Sequence, residues 1–254
     1  MLETLYNWLI GNMGTPGEYS YQSIHLFSTL AVVAATLAVL VLGCTKRLDQ
    51  KQKRRILVAV SIFHLAFEVL WRLVYVFIKG DSPLCWWPIY PCNLGGVLVP
   101  VIALANWKRG KQAFYLFAFV GACLTFALPE DIFTADVLSF PILKSILQHT
   151  GILMIPVFEY TSNTYRPTLK EMGWIIGGLL IHVLNCEVIS RLLGFTADYM
   201  FFRSDMPFVI PGVPQWITLS VFALLVLSLL CLLSDTKGSV RFIKGLFNRK
   251  KIHS

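Results

Sequence analysis

Two residues in this sequence have the side chains a covalent catalyst needs. Cys92 lies in the run Tyr90-Pro91-Cys92-Asn93-Leu94-Gly95-Gly96, and His149 lies in Gln148-His149-Thr150. Thiol and imidazole together are the minimum for a nucleophile with its base. A free thiol is only a few per cent ionised near neutral pH, so it needs a basic neighbour or a positive field. In such a pair His149 takes the Cys92 proton and returns it to a leaving alcohol, while Glu68 is expected to orient the imidazole as a third member. Asn93 and the backbone N–H groups of Leu94 to Gly96 are candidates to face an oxyanion, because glycine lets a backbone come close. A structural alternative stays open: a small residue at a proline turn and a buried histidine are also ordinary parts of a helix bundle.

The elements that must position this pair follow from composition. The chain has 254 residues, 56% hydrophobic and only 14% charged, with a mean hydropathy of +0.65. Soluble domains carry roughly 25% charged residues, so this is an all-α polytopic membrane protein by composition. Seven apolar segments are expected to cross the bilayer, at 24–42, 56–78, 89–105, 112–128, 141–159, 172–193 and 216–233. Each is near the roughly 17–25 residues that a span requires. The third is interrupted by Pro91, Gly95, Gly96 and Pro100 and is read as broken or re-entrant. Residues 1–17 are read as an amphipathic surface helix and a Gly/Pro turn, with Leu5, Trp8, Leu9 and Met13 on one face. Trp71, Trp86, Trp87, Trp107 and Trp216 fall where interfacial aromatic belts belong.

A net charge of +8 would suggest nucleic acid in a soluble chain, but here the charge sits in loops. Basic residues fill alternate connections: Lys46 to Arg55, Lys108 to Lys111, Arg166 with Lys170, and the tail 234–254. The other connections carry Lys79 and Asp81, then Glu130, Asp131 and Asp136, then Asp198, Arg203 and Asp205. This alternation predicts an outside N-terminus and an inside C-terminus, with anionic-lipid contacts on the cytoplasmic face and no nucleic-acid partner. Six cysteines without CxxC spacing indicate neither a zinc site nor a disulfide framework. No cofactor motif is present and no metal is expected. Residues 194–215, with Pro207, Pro211 and Pro214, read as an irregular cap over the outer mouth.

The second segment carries charge where hydrocarbon penalises it. His64, Glu68 and Arg72 are spaced i, i+4, i+8 and share one face. Charged groups there point inward and pair, or line a wet cavity. Counting along the helices puts Glu68 and His149 at similar depths in the outer half. The sixth segment adds His182, Asn185, Glu187 and Arg191. These groups are expected to converge on one cavity roofed by residues 129–140 and by the proline-rich segment, where Arg72 and Arg191 would hold a lipid phosphate. The alternative is a buried ion pair that fixes helix register.

Several pieces are similar in order and spacing to the YwaF-type integral membrane proteins of bacteria and their eukaryotic relatives in the transmembrane protein 164 family. They are Phe67-Glu68-Val69 with Arg72, Tyr90-Pro91-Cys92-Asn93-Leu94, Leu128-Pro129 ahead of Leu147-Gln148-His149-Thr150, Ile155-Pro156-Val157, and Ala197-Asp198-Tyr199-Met200-Phe201-Phe202. The resemblance implies a membrane enzyme that moves or hydrolyses fatty acyl groups of phospholipids or lysophospholipids, with Cys92 and His149 at the positions of the proposed active pair. Asn93 stands where those relatives carry a histidine beside the cysteine. Two other classes remain open: a small-molecule transporter, which needs a polar path past His182 to the cytoplasm, and a seven-helix sensor that binds without reacting. The oligomeric state has no signature in the sequence.

Overall fold

A computed structural model of the chain describes residues 1–129, 132–196, 200, 210 and 212–242. Glu130, Asp131, Asp198, Arg203, Asp205, Pro207, Pro211 and the tail from residue 243 lie outside the described residues, as does most of the stretch 197–202. The described elements are helical: α1 (Leu2–Ile10), α2 (Ser23–Cys44), α3 (Gln50–Leu73), α4 (Pro91–Ala105), α5 (Lys108–Ala127), α6 (Phe140–Thr161), α7 (Met172–Val183), α8 (Ser190–Leu192) and α9 (Gln215–Ser234). α3 and α7 each run on into a wider π-helical turn, Val74–Lys79 and Leu184–Ile189.

Six of these stretches are long and apolar enough to span: α2, Gln50–Lys79, α5, α6, Leu169–Leu192 and α9. The chain is an integral, multi-pass, all-α membrane protein. The expected seventh span is corrected. α4 has 15 residues, roughly 22 Å, which is shorter than a hydrocarbon core of about 30 Å. Pro91 opens α4 where its missing N–H leaves no bond unmade, and Asn106 closes it in the left-handed region at φ 49°.

α3 begins six residues earlier than its apolar run. Asp49 and Gln52 form a reciprocal capping box, with Asp49 Oδ1 accepting from the Gln52 N–H at 2.7 Å and Gln52 Oε1 from the Asp49 N–H at 2.9 Å. The basic residues of the first turns then find partners instead of ending the helix. Lys53 donates to the Gly43 carbonyl at 2.5 Å, and Arg54 donates to the Ala103 and Leu104 carbonyls at 2.5 and 2.6 Å. Both cations thus sit on the carbonyl ends of neighbouring helices, where the helix dipole favours positive charge.

The chain divides into two units, 1–107 with 118–164, and 108–117 with 165–254. In the first, α3, α4 and α6 pack against one another and α2 lies along α6. Small residues make the close approaches. A Cβ on Gly96 would come within 2.7 Å of Gln148 Nε2 and 2.9 Å of Glu68 Oε1, and one on Gly151 would overlap the His64 ring. α1 packs on the end of α3 and the start of α6: Trp8 Nε1 donates to the Leu138 carbonyl at 2.9 Å and its ring meets Phe140 at 5.4 Å. Residues 14–22 tie down the α5–α6 connection, with Gly17 and Tyr19 N–H groups donating to the Thr134 and Phe133 carbonyls. In the second unit, α7 lies against the start of α5, where Gly178 faces the Ala113 backbone.

Candidate functional site

The i, i+4 spacing in α3 places its polar stripe as expected. Arg72 donates to Glu68 Oε2 at 2.7 Å, and both side chains are almost fully buried. Trp71 Nε1 donates to the same oxygen at 2.9 Å. His64 Nε2 stands 3.9 Å from Glu68 Oε1, and neither atom has a hydrogen-bond partner; Arg72 also keeps one unpartnered nitrogen, Nη2. Trp71 is only 4% exposed, so it belongs to this core and not to the interfacial belt, unlike Trp86, Trp87, Trp107 and Trp216, which are exposed.

Lys144 on α6 completes the electrostatics, and nothing in the sequence reading singled it out. Its ammonium donates to Asn93 Oδ1 at 3.1 Å and to Gln148 Oε1 at 2.8 Å, and it lies 4.1 Å from the centre of the Trp71 ring. The Arg72 guanidinium covers the same indole at 4.7 Å. Lys144 of α6 and Arg72 of α3 therefore both lie against the Trp71 indole. The sequence signal was a single basic residue four positions before Gln148 in an apolar run, which puts both on one helix face.

Asn93 Oδ1 is where the cluster meets Cys92. It accepts from Lys144 and from Gln148 Nε2 at 3.0 Å, and the Cys92 thiol lies 4.0 Å away. Gln148 Nε2 also donates to the Cys92 carbonyl at 3.3 Å. The amide oxygen of Asn93 is thus committed to lysine and glutamine, whereas an oxyanion would be met by the Nδ2 donors.

His149 does not complete the expected pair. Its Nδ1 bonds the Ser145 carbonyl one turn back at 2.8 Å, and its ring meets Phe126 edge-on at 6.2 Å. No hydrogen bond joins it to Cys92, and no catalytic cysteine–histidine pair or cavity beside it is evident among the described residues. The reason is helical geometry: successive residues point about 100° apart, so when Gln148 faces α4, His149 turns toward α5. With Nδ1–H donating to a carbonyl, the lone pair of the neutral ring resides on Nε2.

His64, Glu68, Arg72, Cys92 and Asn93 are thus brought together with Lys144 and Gln148, and His149 adjoins them on α6. His182, Asn185, Glu187 and Arg191 belong to the other unit. There His182 bonds the Gly178 carbonyl at 2.9 Å through Nδ1 and sits against the rings of Phe114 and Phe117 at 5.6 and 4.5 Å. Asn185 is buried, while Glu187 and Arg191 pair at 2.8 Å with the arginine half exposed. Among the described residues, no group of three or more histidine, cysteine, aspartate or glutamate side chains is arranged to hold a metal ion.

Searches of curated proteins and of solved structures found no match. The sequence model of one family aligns over residues 19–233, a stretch that includes every residue of the cluster. The chain belongs to the TMEM164 family.

Proposed function

We propose that this protein transfers or hydrolyses fatty acyl groups of membrane phospholipids, with Cys92 as nucleophile and His149 as its base. The observation that carries the reading is the linkage through α6. Gln148 holds the Cys92 carbonyl, and the adjacent His149 has its Nδ1 proton committed to Ser145, which leaves Nε2 as the basic nitrogen. Family membership supports the same chemistry. Reaction requires a shift that brings Nε2 onto the thiol, since no bond joins them at rest.

In the first step the Cys92 sulfur attacks the ester carbonyl and the C–S bond forms. Its proton passes to His149, the ester C–O bond breaks, and the lysolipid oxygen takes that proton. A second hydroxyl, from a lysolipid or from water, then attacks the thioester, gives up its proton through His149, and restores the thiol. Lys144 and the first turn of α4 supply positive potential next to the sulfur. Glu68, with Arg72 and His64, anchors α3 beside this site, and the phosphate of the lipid is assigned to Arg72. His182, Asn185, Glu187 and Arg191 are proposed as lipid contacts of the second unit taken by itself.

The alternation of basic and acidic connections supports an outside N-terminus and an inside C-terminus in a plasma membrane. On that orientation Lys53 and Arg54 mark the cytoplasmic end of α3, and the cluster belongs to the outer half. The test incubates purified protein with labelled phospholipid and lysophospholipid. Turnover lost in both Cys92→Ser and His149→Ala, with folding retained, supports the pair; undiminished turnover in Cys92→Ser overturns it. A second reading, a sensor that binds without reacting, draws on the missing contact between Cys92 and His149. It predicts lipid binding with no acyl turnover in any variant.

A further inference from the structure

The second unit holds a groove of about 580 Å³ that the acyl chemistry does not use. It is lined by Thr168, Leu169 and Lys170 on one side and by Asp235, Gly238, Ser239, Arg241 and Phe242 on the other. Its depth follows from the helices. α9 is continuously apolar and ends at Ser234, and the span Leu169–Leu192 begins at the facing wall. A groove between the end of one span and the start of another lies at the level of lipid headgroups.

Its chemistry is that of an anion site with an apolar edge. Lys170 and Arg241 present exposed cations, and Phe242 and Leu169 supply hydrocarbon. The one acidic side chain in the lining, Asp235, is turned to its own backbone, where Oδ1 accepts from the Gly238 N–H at 3.1 Å. A side chain at Gly238 would overlap that carboxylate, so glycine is what allows the turn to close. Ser239 is 2% exposed, yet its hydroxyl has no hydrogen-bond partner. A buried, unanswered hydroxyl in a groove that also carries two cations is a donor waiting for an acceptor. Basic residues that merely set topology need neither a groove nor that hydroxyl.

We propose that this groove binds the phosphate group of an anionic phospholipid. Lys170 and Arg241 neutralise the phosphate, Ser239 donates its hydroxyl, and the acyl chains run down beside Leu169 and Phe242. The site is independent of Cys92 and His149. It lies on the face where the chain's basic connections collect, which is the leaflet that carries anionic lipid in the orientation given above.

Native mass spectrometry of the full-length protein in detergent, titrated with phosphatidylglycerol or phosphatidylcholine, tests this. Phosphatidylglycerol is expected to be retained in preference to phosphatidylcholine. Lys170→Gln and Arg241→Gln should each raise its Kd about fivefold, the value of one basic residue near a charged membrane surface. Ser239→Ala should raise it several-fold. Lys170→Arg, which keeps the charge, should bind as the parent does, and Lys46→Gln with Lys51→Gln, in another basic connection, should leave the Kd unchanged. Equal loss in that control pair, or undiminished binding in the Lys170 and Arg241 variants, overturns the site. Displacement of the lipid by equimolar inorganic phosphate would assign it to free phosphate and overturn the lipid assignment.

Discussion

Gln148 reaches from α6 to the carbonyl of Cys92 on α4, at 3.3 Å, and with the same nitrogen to Asn93 Oδ1 at 3.0 Å. One amide therefore ties the candidate nucleophile to the helix that carries the candidate base. Gln148→Leu should cut acyl turnover at least tenfold while lowering stability by only about 1–3 kcal/mol, the range for leaving buried polar partners unsatisfied. Turnover measured beside thermal unfolding separates the two effects. A fall in stability without a change in turnover would show that the amide serves packing alone.

The Glu68–Arg72 pair is buried and hydrogen-bonded. Arg72→Leu should destabilise the fold by about 3–5 kcal/mol, because it strands the carboxylate among apolar side chains. Glu68→Leu together with Arg72→Leu should recover much of that loss, since no uncompensated charge remains from the pair. Detergent-solubilised unfolding curves of the three variants make the comparison.

Glycine substitutions should divide by location. Gly151→Ala drives a methyl into the His64 ring and Gly96→Ala meets Gln148 and Glu68, so each should cost about 1–3 kcal/mol. Gly173 and Gly177 have open space where a Cβ would go. Alanine there should be neutral or stabilising by up to about 1 kcal/mol, the helix-propensity difference. The readout is the unfolding midpoint of each single variant.

Arg54 donates to the last carbonyls of α4. Arg54→Ala should loosen that end first, by roughly 1.5–3 kcal/mol for hydrogen bonds to a charged group. Hydrogen exchange should rise at residues 104–108 before it rises elsewhere in α4. Uniform protection along α4 in this variant would contradict the assignment.

Outside the spans, Glu18 is held below the usual carboxylate range by hydrogen bonds from the Ser20 hydroxyl and backbone N–H. A depressed folded value means that the stabilisation is present above the ordinary pKa near 4.5 and is lost as pH falls through the lower, folded one. Limited proteolysis of the 14–22 segment should therefore accelerate below about pH 4.5, and Glu18→Gln should be fast and pH-independent over that window.

The sequence made the helical stripes legible and left the neighbours between helices unread. His64, Glu68 and Arg72 could be placed on one face because their spacing is a property of a single helix, and α3 bears this out. Which residue of α6 would face Cys92 depended on a rotation of about 100°, and that choice fell to Gln148 instead of His149. Lys144 escaped notice because a lone lysine near the start of a span resembles a boundary marker. Lys53 and Arg54 looked like a loop for the same reason, although Asp49 and Gln52 ahead of them carry the spacing of a capping box. The length of α4 was half visible: its prolines and glycines announced an irregular segment, but the left-handed stop at Asn106 required coordinates.

That stop leaves α4 about 7 Å short of a full crossing. Lipid beside a truncated helix compresses to avoid wetting apolar side chains or stranding chain ends in oil, and this mismatch thins the bilayer locally. On the function proposed above, ester linkages along the flank where Cys92 opens α4 would be drawn inward toward the sulfur, so that the membrane itself would carry substrate part of the way to the reactive atom.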